Sequence, residues 1–272
     1  MIDWRRVRAT TNSAALLVRS EFDGRTVTVS CNNSVQSQTT NVAVKDGVLL
    51  FEFSGLLPDR AYDALISDGY ETAAATVKTM PASFIRMAWI SCIEFDRPTG
   101  VHQMLNRYGP IHIVQGLGDI NYPDGRSTSA GGITSSMYYN VWTEANVYDS
   151  LLALWRTDWF TRLSHETVLF DMPDDHQRLD NWDGSLYRAN QQAPGGLTYQ
   201  RAANYTDVTA LAARFTDCWK AYNQGMPENT DSDIDGGALY YRYTAGWDYH
   251  RNKPLVGVIV PDHVTYKDIA AD

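Results

Sequence analysis

Short runs of apolar residues alternate loosely with polar ones along the first 80 residues, which is the pattern of half-buried β-strands. Ser, Asn, Gln and Gly separate the runs, and a repeat of about 8–12 residues is typical of an antiparallel sandwich. The predicted strands cover residues 8–11, 15–20, 26–31, 42–44 and 48–53. The pattern therefore predicts an all-β fold for residues 1–80.

A turn-and-corner motif follows the last of these strands. Gly55-Leu-Leu-Pro-Asp-Arg-Ala-Tyr62 resembles the Gly-Leu-x-Pro-x-x-x-Tyr pattern of fibronectin type III domains, in which the tyrosine hydroxyl caps a corner of the sandwich. The alternative is an ordinary Pro-Asp turn beside a core tyrosine. The motif indicates a fibronectin III or immunoglobulin-like β-sandwich over residues 1–80. Pro81 lies in a natural linker, residues 79–82, because proline forces its neighbour into an extended conformation.

The pattern changes after residue 83 to apolar strands separated by helices. Strands are predicted at 84–90, 112–117 and 167–172, and helices at 97–108 and 146–163. Because residues 84–90 are almost wholly apolar, we expect them in the centre of a sheet. A further helix and two further strands are predicted at 207–222, 239–243 and 255–260. This alternation predicts an α/β domain over residues 81–272, a class that binds ligands at the carboxyl ends of its strands.

Each of the three central predicted strands is followed by side chains that can ligate metal. Cys92 follows the first strand, Asp119 and Tyr122 follow the second, and Asp175 and His176 follow the third. Adjacent parallel strands would bring these side chains together as a site for a hard cation with one softer ligand. Separately, each has a structural interpretation: a buried thiol, a turn, or a helix cap with a surface histidine.

The order of the motifs resembles that of the PhoD-like alkaline phosphatases, a branch of the calcineurin-like metallophosphoesterases with an immunoglobulin-like leader domain. The matching segments are Ser91-Cys92, Gly118-Asp-Ile-Asn-Tyr122, Met172-Pro-Asp-Asp-His-Gln-Arg-Leu-Asp-Asn-Trp-Asp-Gly184, Tyr240-Tyr-Arg-Tyr243 and Pro261-Asp-His-Val-Thr-Tyr-Lys-Asp268. The resemblance implies a metallophosphoesterase-like second domain that hydrolyses phosphate esters.

The resemblance also implies roles for individual residues. Asp119 would bridge two metal ions, with Cys92 and Tyr122 on a first ion, ferric iron, and Asp175 on a second ion, calcium. His176 would protonate the leaving alkoxide or steady the transition state. Asn181, in the Asp-Asn pair that follows, would contact the substrate. The other histidines considered (His102, His112 and His165) have no ligand-like context, so packing or surface roles are expected.

Three departures from the family pattern bear on activity. Val264 and Gln177 stand where the family has arginine and glutamate, and the chain lacks the family's later histidine ligands. We therefore expect an incomplete catalytic domain whose open side is covered by a second chain or by another copy. One hypothesis is a phosphoesterase that needs this partner. The other is an inactive structural or interaction protein on the same scaffold, such as a component of a virion or another large assembly.

Composition narrows the choice of partner and compartment. The chain of 272 residues carries 23 basic and 32 acidic side chains, a net charge of −9, which argues against binding a nucleic-acid backbone. Three cysteines suit neither a disulfide scaffold nor a zinc ribbon.

Arg5-Arg6 resembles the start of a twin-arginine signal, but the apolar stretch after it is short. Without a run of about 18 apolar residues, no membrane span is expected. The sequence predicts a soluble protein, cytoplasmic or part of an assembly.

Overall fold

The computed structural model describes residues 1–22, 24–40, 48–91, 93, 99–117, 154–170, 241–245 and 256–260. The predicted strand at 42–44 and the predicted helix at 207–222 lie outside these residues. The described part of the chain contains an N-terminal β domain, a small parallel sheet with two helices, and a separate pair of antiparallel strands. The boundary at residue 80 stays a prediction.

The N-terminal residues form a β domain of two antiparallel sheets. Strands β1, β2 and β5 form a three-stranded sheet, and the four-stranded sheet has the order β4-β3-β6-β7. Alternate residues of β3, beginning with Val27 and Val29, point into the core between the sheets, where Phe51 and Ile66 are also fully buried. The strands are β1 (Ile2–Ala9), β2 (Ser13–Ser20), β3 (Thr26–Cys31), β4 (Ser34–Thr39), β5 (Val48–Ser54), β6 (Ala61–Ser67) and β7 (Thr72–Lys78).

The corner predicted from the sequence is present at the start of β6. The Tyr62 hydroxyl accepts a hydrogen bond of 2.8 Å from the backbone N–H of Leu57, five residues upstream. This contact holds the turn after β5 against the strand that follows it, as in immunoglobulin-like sandwiches. Residues 79–81, predicted as a linker, are buried, and Met80 donates its N–H to the carbonyl of Thr10.

Two glutamines close the gap between the sheets on the side of β4 and β5. Gln36 and Gln38 lie on alternate positions of β4 and donate Nε2–H to the carbonyl oxygens of Glu52 and Leu50, both at 2.5 Å. These carbonyls belong to β5, which pairs with β2 on its other side. These two carbonyl oxygens of β5 therefore accept from side chains instead of from another strand.

The second unit contains a parallel sheet with the order β10-β9-β8. Its elements are β8 (Met87–Ile90), α1 (Thr99–Arg107), β9 (Ile113–Gly116), α2 (Asp158–Glu166) and β10 (Val168–Phe170). Helix α1 ends before Gly109, whose φ of +69° is the left-handed conformation that glycine adopts after a helix. Separately, β11 (Tyr241–Ala245) and β12 (Val256–Val260) pair antiparallel.

The position of β8 differs from the sequence expectation. Residues 84–90 were expected in the centre of a sheet, but β9 is central and β8 lies at the edge of the described sheet. All of β9 is buried, whereas Trp89 on β8 is 59% exposed. An apolar sequence cannot distinguish a buried strand from one whose apolar side chains remain exposed.

Among the described residues, no helix is long and apolar enough to cross a membrane.

Replacing Tyr62 by phenylalanine removes only the hydroxyl that accepts from Leu57. Because the ring stays in place, we expect the variant to fold and to lose about 1 kcal/mol of unfolding free energy. Urea unfolding followed by circular dichroism measures the loss. Tyr108→Phe is the matched control, since Tyr108 is 67% exposed. Equal stabilities for the two variants would contradict a structural role for the corner.

Candidate functional site

The carboxyl ends of three parallel strands meet at one edge of the sheet. Ile90 of β8 pairs with Gly116 of β9, and Phe170 of β10 pairs with Gln115, one residue earlier. The ladder continues past Gly116, because Leu117 donates its N–H to the carbonyl of Ile90 at 2.8 Å. Parallel pairing therefore brings the three strand ends side by side, as expected from the sequence. This edge is where α/β folds bind ligands.

The residues predicted to form the site follow these strand ends along the chain. Cys92 comes two residues after Ile90, Asp119 three residues after Gly116, and Asp175 five residues after Phe170. Cys92, Asp119, Tyr122, Asp175, His176 and Asn181 all lie outside the described residues. The structure thus places the strands that lead into the site, and the site residues themselves stay predictions. Within the described part of the chain, no group of three or more His, Cys, Asp or Glu side chains is arranged to hold a metal ion.

Helix α2 leads directly into β10 and packs through an apolar face. Trp159, Phe160 and Leu163 are buried, and Asp158 in the first turn is favourable at the positive end of the helix dipole. Arg162 and Glu166 form an ion pair of 2.7 Å across one turn on the outer face. The helix ends at Glu166, and β10 begins two residues later, so the placement of α2 sets the placement of β10.

Strand β1 of the β domain holds the junction between α2 and β10. Arg6 is 4% exposed, and its guanidinium donates to the carbonyl of Glu166 at 2.7 Å and to that of Lys78 at 3.2 Å. A buried guanidinium must be matched by acceptors, because desolvation of an unpaired charge is costly. Arg6 therefore links the middle of β1 to the end of α2 and the end of β7.

Charged side chains extend this junction over the outer face of β1 and β2. Arg156, which precedes α2, pairs with Asp3 at 3.2 Å and with Glu21. Asp3 also pairs with Arg19, which lies opposite it in the sheet. The Arg5 guanidinium lies 5.3 Å from the ring of Trp155, within the range of a cation–π contact. The β domain thus contacts the segment around α2 on two sides.

His165 completes the junction. Its ring stacks on that of Trp4 with centroids 3.6 Å apart and planes inclined by 6°, and its Nε2 lies 2.9 Å from the Trp4 carbonyl oxygen. Since the carbonyl only accepts, the proton is on Nε2. Burial lowers the pKa of His165. The Trp4 carbonyl and Asp3 oppose this shift in part, while the nearby Arg6 adds to it.

His112 has a packing role at the opposite end of the parallel sheet. Its Nδ1 accepts the backbone N–H of Arg86 at 2.9 Å, and its ring meets Phe84 edge-on at 5.6 Å. Burial lowers the pKa of His112, and the charges of Lys78 and Arg86 contribute to the shift. The two histidines therefore pack as the sequence predicted.

The junction residues Trp4, Arg6 and Arg156 were not predicted, and the Arg5-Arg6 pair is buried in β1.

Comparison with solved structures identifies the fold. The structure of PhoD matches with a TM-score of 0.61 and 16% identity over 89% of this chain and 49% of that chain. The chain thus spans about half of the length of the PhoD chain, and at this identity the likeness shows a PhoD-like fold alone. No family model and no curated protein matches the chain.

Two further solved structures match a shorter part of the chain. The central fibronectin-III array of RIM-binding protein aligns over 30% of this chain and 32% of its own, at 17% identity and a TM-score of 0.25. The sensor domain of the anti-sigma factor RsgI4 from Pseudobacteroides cellulosolvens aligns over 30% of this chain and 94% of its own, at 15% identity and a TM-score of 0.24. These scores add nothing to the assignment of the fold.

Acidification is expected to weaken the junction. The pKa of His165 in the folded chain is lower than in the unfolded chain, so its contribution is complete above a pH of about 6.5 and falls as the pH drops through the folded value. His165→Phe keeps a ring that can stack on Trp4 but cannot titrate. We expect the difference in melting temperature between the parent and this variant to shrink between pH 7.5 and 5. A difference independent of pH would show that His165 does not titrate in this range.

Proposed function

We propose that this chain is a metal-dependent phosphoesterase that hydrolyses phosphomonoesters or phosphodiesters. The observation that carries the proposal is the meeting of three parallel strand ends at one sheet edge, each followed in sequence by a motif that resembles the PhoD-like phosphatases. The PhoD-like fold supports it, because the match includes 89% of this chain. The proposal makes this edge a catalytic site, beyond what the fold by itself shows.

The chemistry of the donor set suits the proposed ions. Asp119, Asp175 and Tyr122 offer hard oxygen ligands, which suit ferric iron and calcium, and Cys92 adds one thiolate. When bound, such ions polarise phosphoryl oxygens and lower the pKa of water. In this proposal His176 donates a proton to the leaving oxygen, and Asn181 donates a hydrogen bond to the substrate.

Covalent reach is consistent with this arrangement. An extended chain spans at most about 3.5 Å per residue, and neighbouring strands lie about 4.8 Å apart. Cys92 and Asp119 follow the paired residues Ile90 and Gly116 by only two and three residues. Both can therefore reach a common cation above the sheet edge.

We further propose that activity requires a second chain or a second copy of this chain. Trp89 on β8 and Leu117 after β9 are 59% and 42% exposed beside the carboxyl edge of the sheet. A partner that packs here would shield these side chains and contribute histidine ligands to the ions. Specific activity that rises with protein concentration would identify a second copy as this partner.

The direct test is hydrolysis of p-nitrophenyl phosphate and bis-p-nitrophenyl phosphate with Fe³⁺ and Ca²⁺ over a range of protein concentrations. Asp119→Asn is expected to lose bound metal and about 100-fold or more of the activity. His176→Gln is expected to lose about 100-fold in kcat while its metal content, measured by elemental analysis, stays unchanged.

Asp63→Asn is the matched control, because Asp63 is an exposed aspartate on β6 of the β domain. Its activity and metal content should equal those of the parent chain. The proposal would be contradicted if no metal-dependent turnover is seen at any protein concentration, either for the chain alone or with a candidate partner. A stable metal-free oligomer would then favour the structural or interaction role.

A further inference from the structure

Two exposed aromatic rings enclose one guanidinium at an end of the β domain. The Arg25 Cζ lies 3.6 Å from the ring centroid of Phe22 and 4.1 Å from that of Tyr70. Phe22 belongs to the β2–β3 loop and Tyr70 to the β6–β7 loop. Tyr70 is 80% exposed and Phe22 is 43% exposed, so both rings remain accessible. We call Phe22, Arg25 and Tyr70 the aromatic platform.

A buried carboxylate fixes the loop that carries Tyr70. Asp68 Oδ1 accepts the backbone N–H groups of Tyr70 at 3.0 Å and Glu71 at 2.9 Å. Its Oδ2 accepts from the Arg25 guanidinium at 2.8 Å and from the Ser20 hydroxyl at 3.3 Å. Burial by itself raises the pKa of this carboxyl, but the hydrogen bonds lower it to about 2, so the ion pair persists at neutral pH.

Thr40 fixes the other loop of the platform. Its hydroxyl donates to the carbonyl of Phe22 at 2.6 Å and accepts the N–H of Arg25 at 3.0 Å. The backbone of Thr40 pairs with Gly24 and Arg25 as well. Both loops are thus held by buried polar groups, although the rings that they present contribute little to the core.

Rigid, exposed aromatic rings are suited to binding. Tyrosine and arginine are enriched among the residues that dominate binding energy, and side chains already held in place lose less entropy when a ligand binds. One face of Tyr70 packs on Arg25, which leaves a flat surface for a ligand. A ligand with a flat apolar face therefore matches the geometry.

The charges around the platform select among such ligands. Glu71, next in sequence to Tyr70, pairs with the N-terminal ammonium of Met1 at 3.1 Å, and Glu21 pairs with the same ammonium and with Arg156. Asp68 neutralises Arg25, and the Glu71 side chain remains 51% exposed. Because the cations among these groups are already paired, they offer no free positive charge to a phosphate or sulfate group, and the net charge of −9 on the chain disfavours anions further. A sugar ring is uncharged, its C–H face stacks on an aromatic ring, and its hydroxyls donate to carboxylates.

We propose that the aromatic platform binds a neutral polysaccharide, with one pyranose ring stacked on Tyr70 and its hydroxyls bonded to Glu71. This function is independent of the phosphoesterase proposal, since it uses no residue near the parallel sheet. It makes the β domain a binding module for a carbohydrate surface.

The test is electrophoresis of the full chain in native gels that contain a β-glucan, a xylan, a galactomannan or an α-glucan. We expect at least one polysaccharide to retard the parent chain. Tyr70→Ala should weaken the interaction about tenfold or more, because it removes the ring on which the sugar stacks and tyrosines are among the residues that dominate binding energy. Tyr70→Trp should retain it. Tyr108→Ala is the matched control, with an exposed tyrosine elsewhere, and should be retarded like the parent.

Circular dichroism and melting temperature establish that each variant is folded. Mobility unaffected by all four polysaccharides would overturn the proposal, as would equal retardation of Tyr70→Ala and the parent chain. Binding of heparin or an oligothymidylate instead of a neutral polysaccharide would also overturn it, because the platform would then accept anions.

Discussion

The buried guanidinium of Arg6 is the contact on which the arrangement of the two domains depends. It projects from β1 and reaches carbonyl oxygens at the ends of two other elements, that of Glu166 at the end of α2 and that of Lys78 at the end of β7. Since both acceptors are backbone atoms, the contact constrains the path of the chain. The β domain is therefore part of the framework that holds β10 beside β9, and it is more than a leader attached by a linker.

The sequence predicts strands best where apolar and polar side chains alternate regularly. Strand β3 has the predicted bounds, residues 26–31, because Val27, Val29 and Cys31 face the core and polar residues lie between them. Strand β1 was predicted to begin at residue 8 but begins at Ile2, since the buried arginines 5 and 6 interrupt the apolar pattern. Strand β4 was missed because its sequence is mostly Ser, Gln and Thr and its side chains bond to β5 instead of filling a core.

The candidate site was predictable to the level of the strands that lead into it. Apolar runs ending in ligand-type residues correctly indicated parallel strands with adjacent carboxyl ends. The junction could not be predicted, because Trp4 and His165 are 161 residues apart and nothing local links them. Arginine is also usually an exposed residue, so sequence gives little sign that Arg6 is buried. Long-range polar contacts of this kind need the fold before they can be recognised.

The two glutamines on β4 also affect how copies of this protein can associate through a strand edge. An open strand edge with unsatisfied carbonyl groups is a template on which another chain can add a strand, and this is a common start of aggregation. Gln36 and Gln38 occupy the carbonyls of Leu50 and Glu52 within the same molecule, so β5 offers no such template at these positions. Another copy could add a strand at these positions only by displacing the two glutamine side chains, so contacts within the molecule oppose association through this edge.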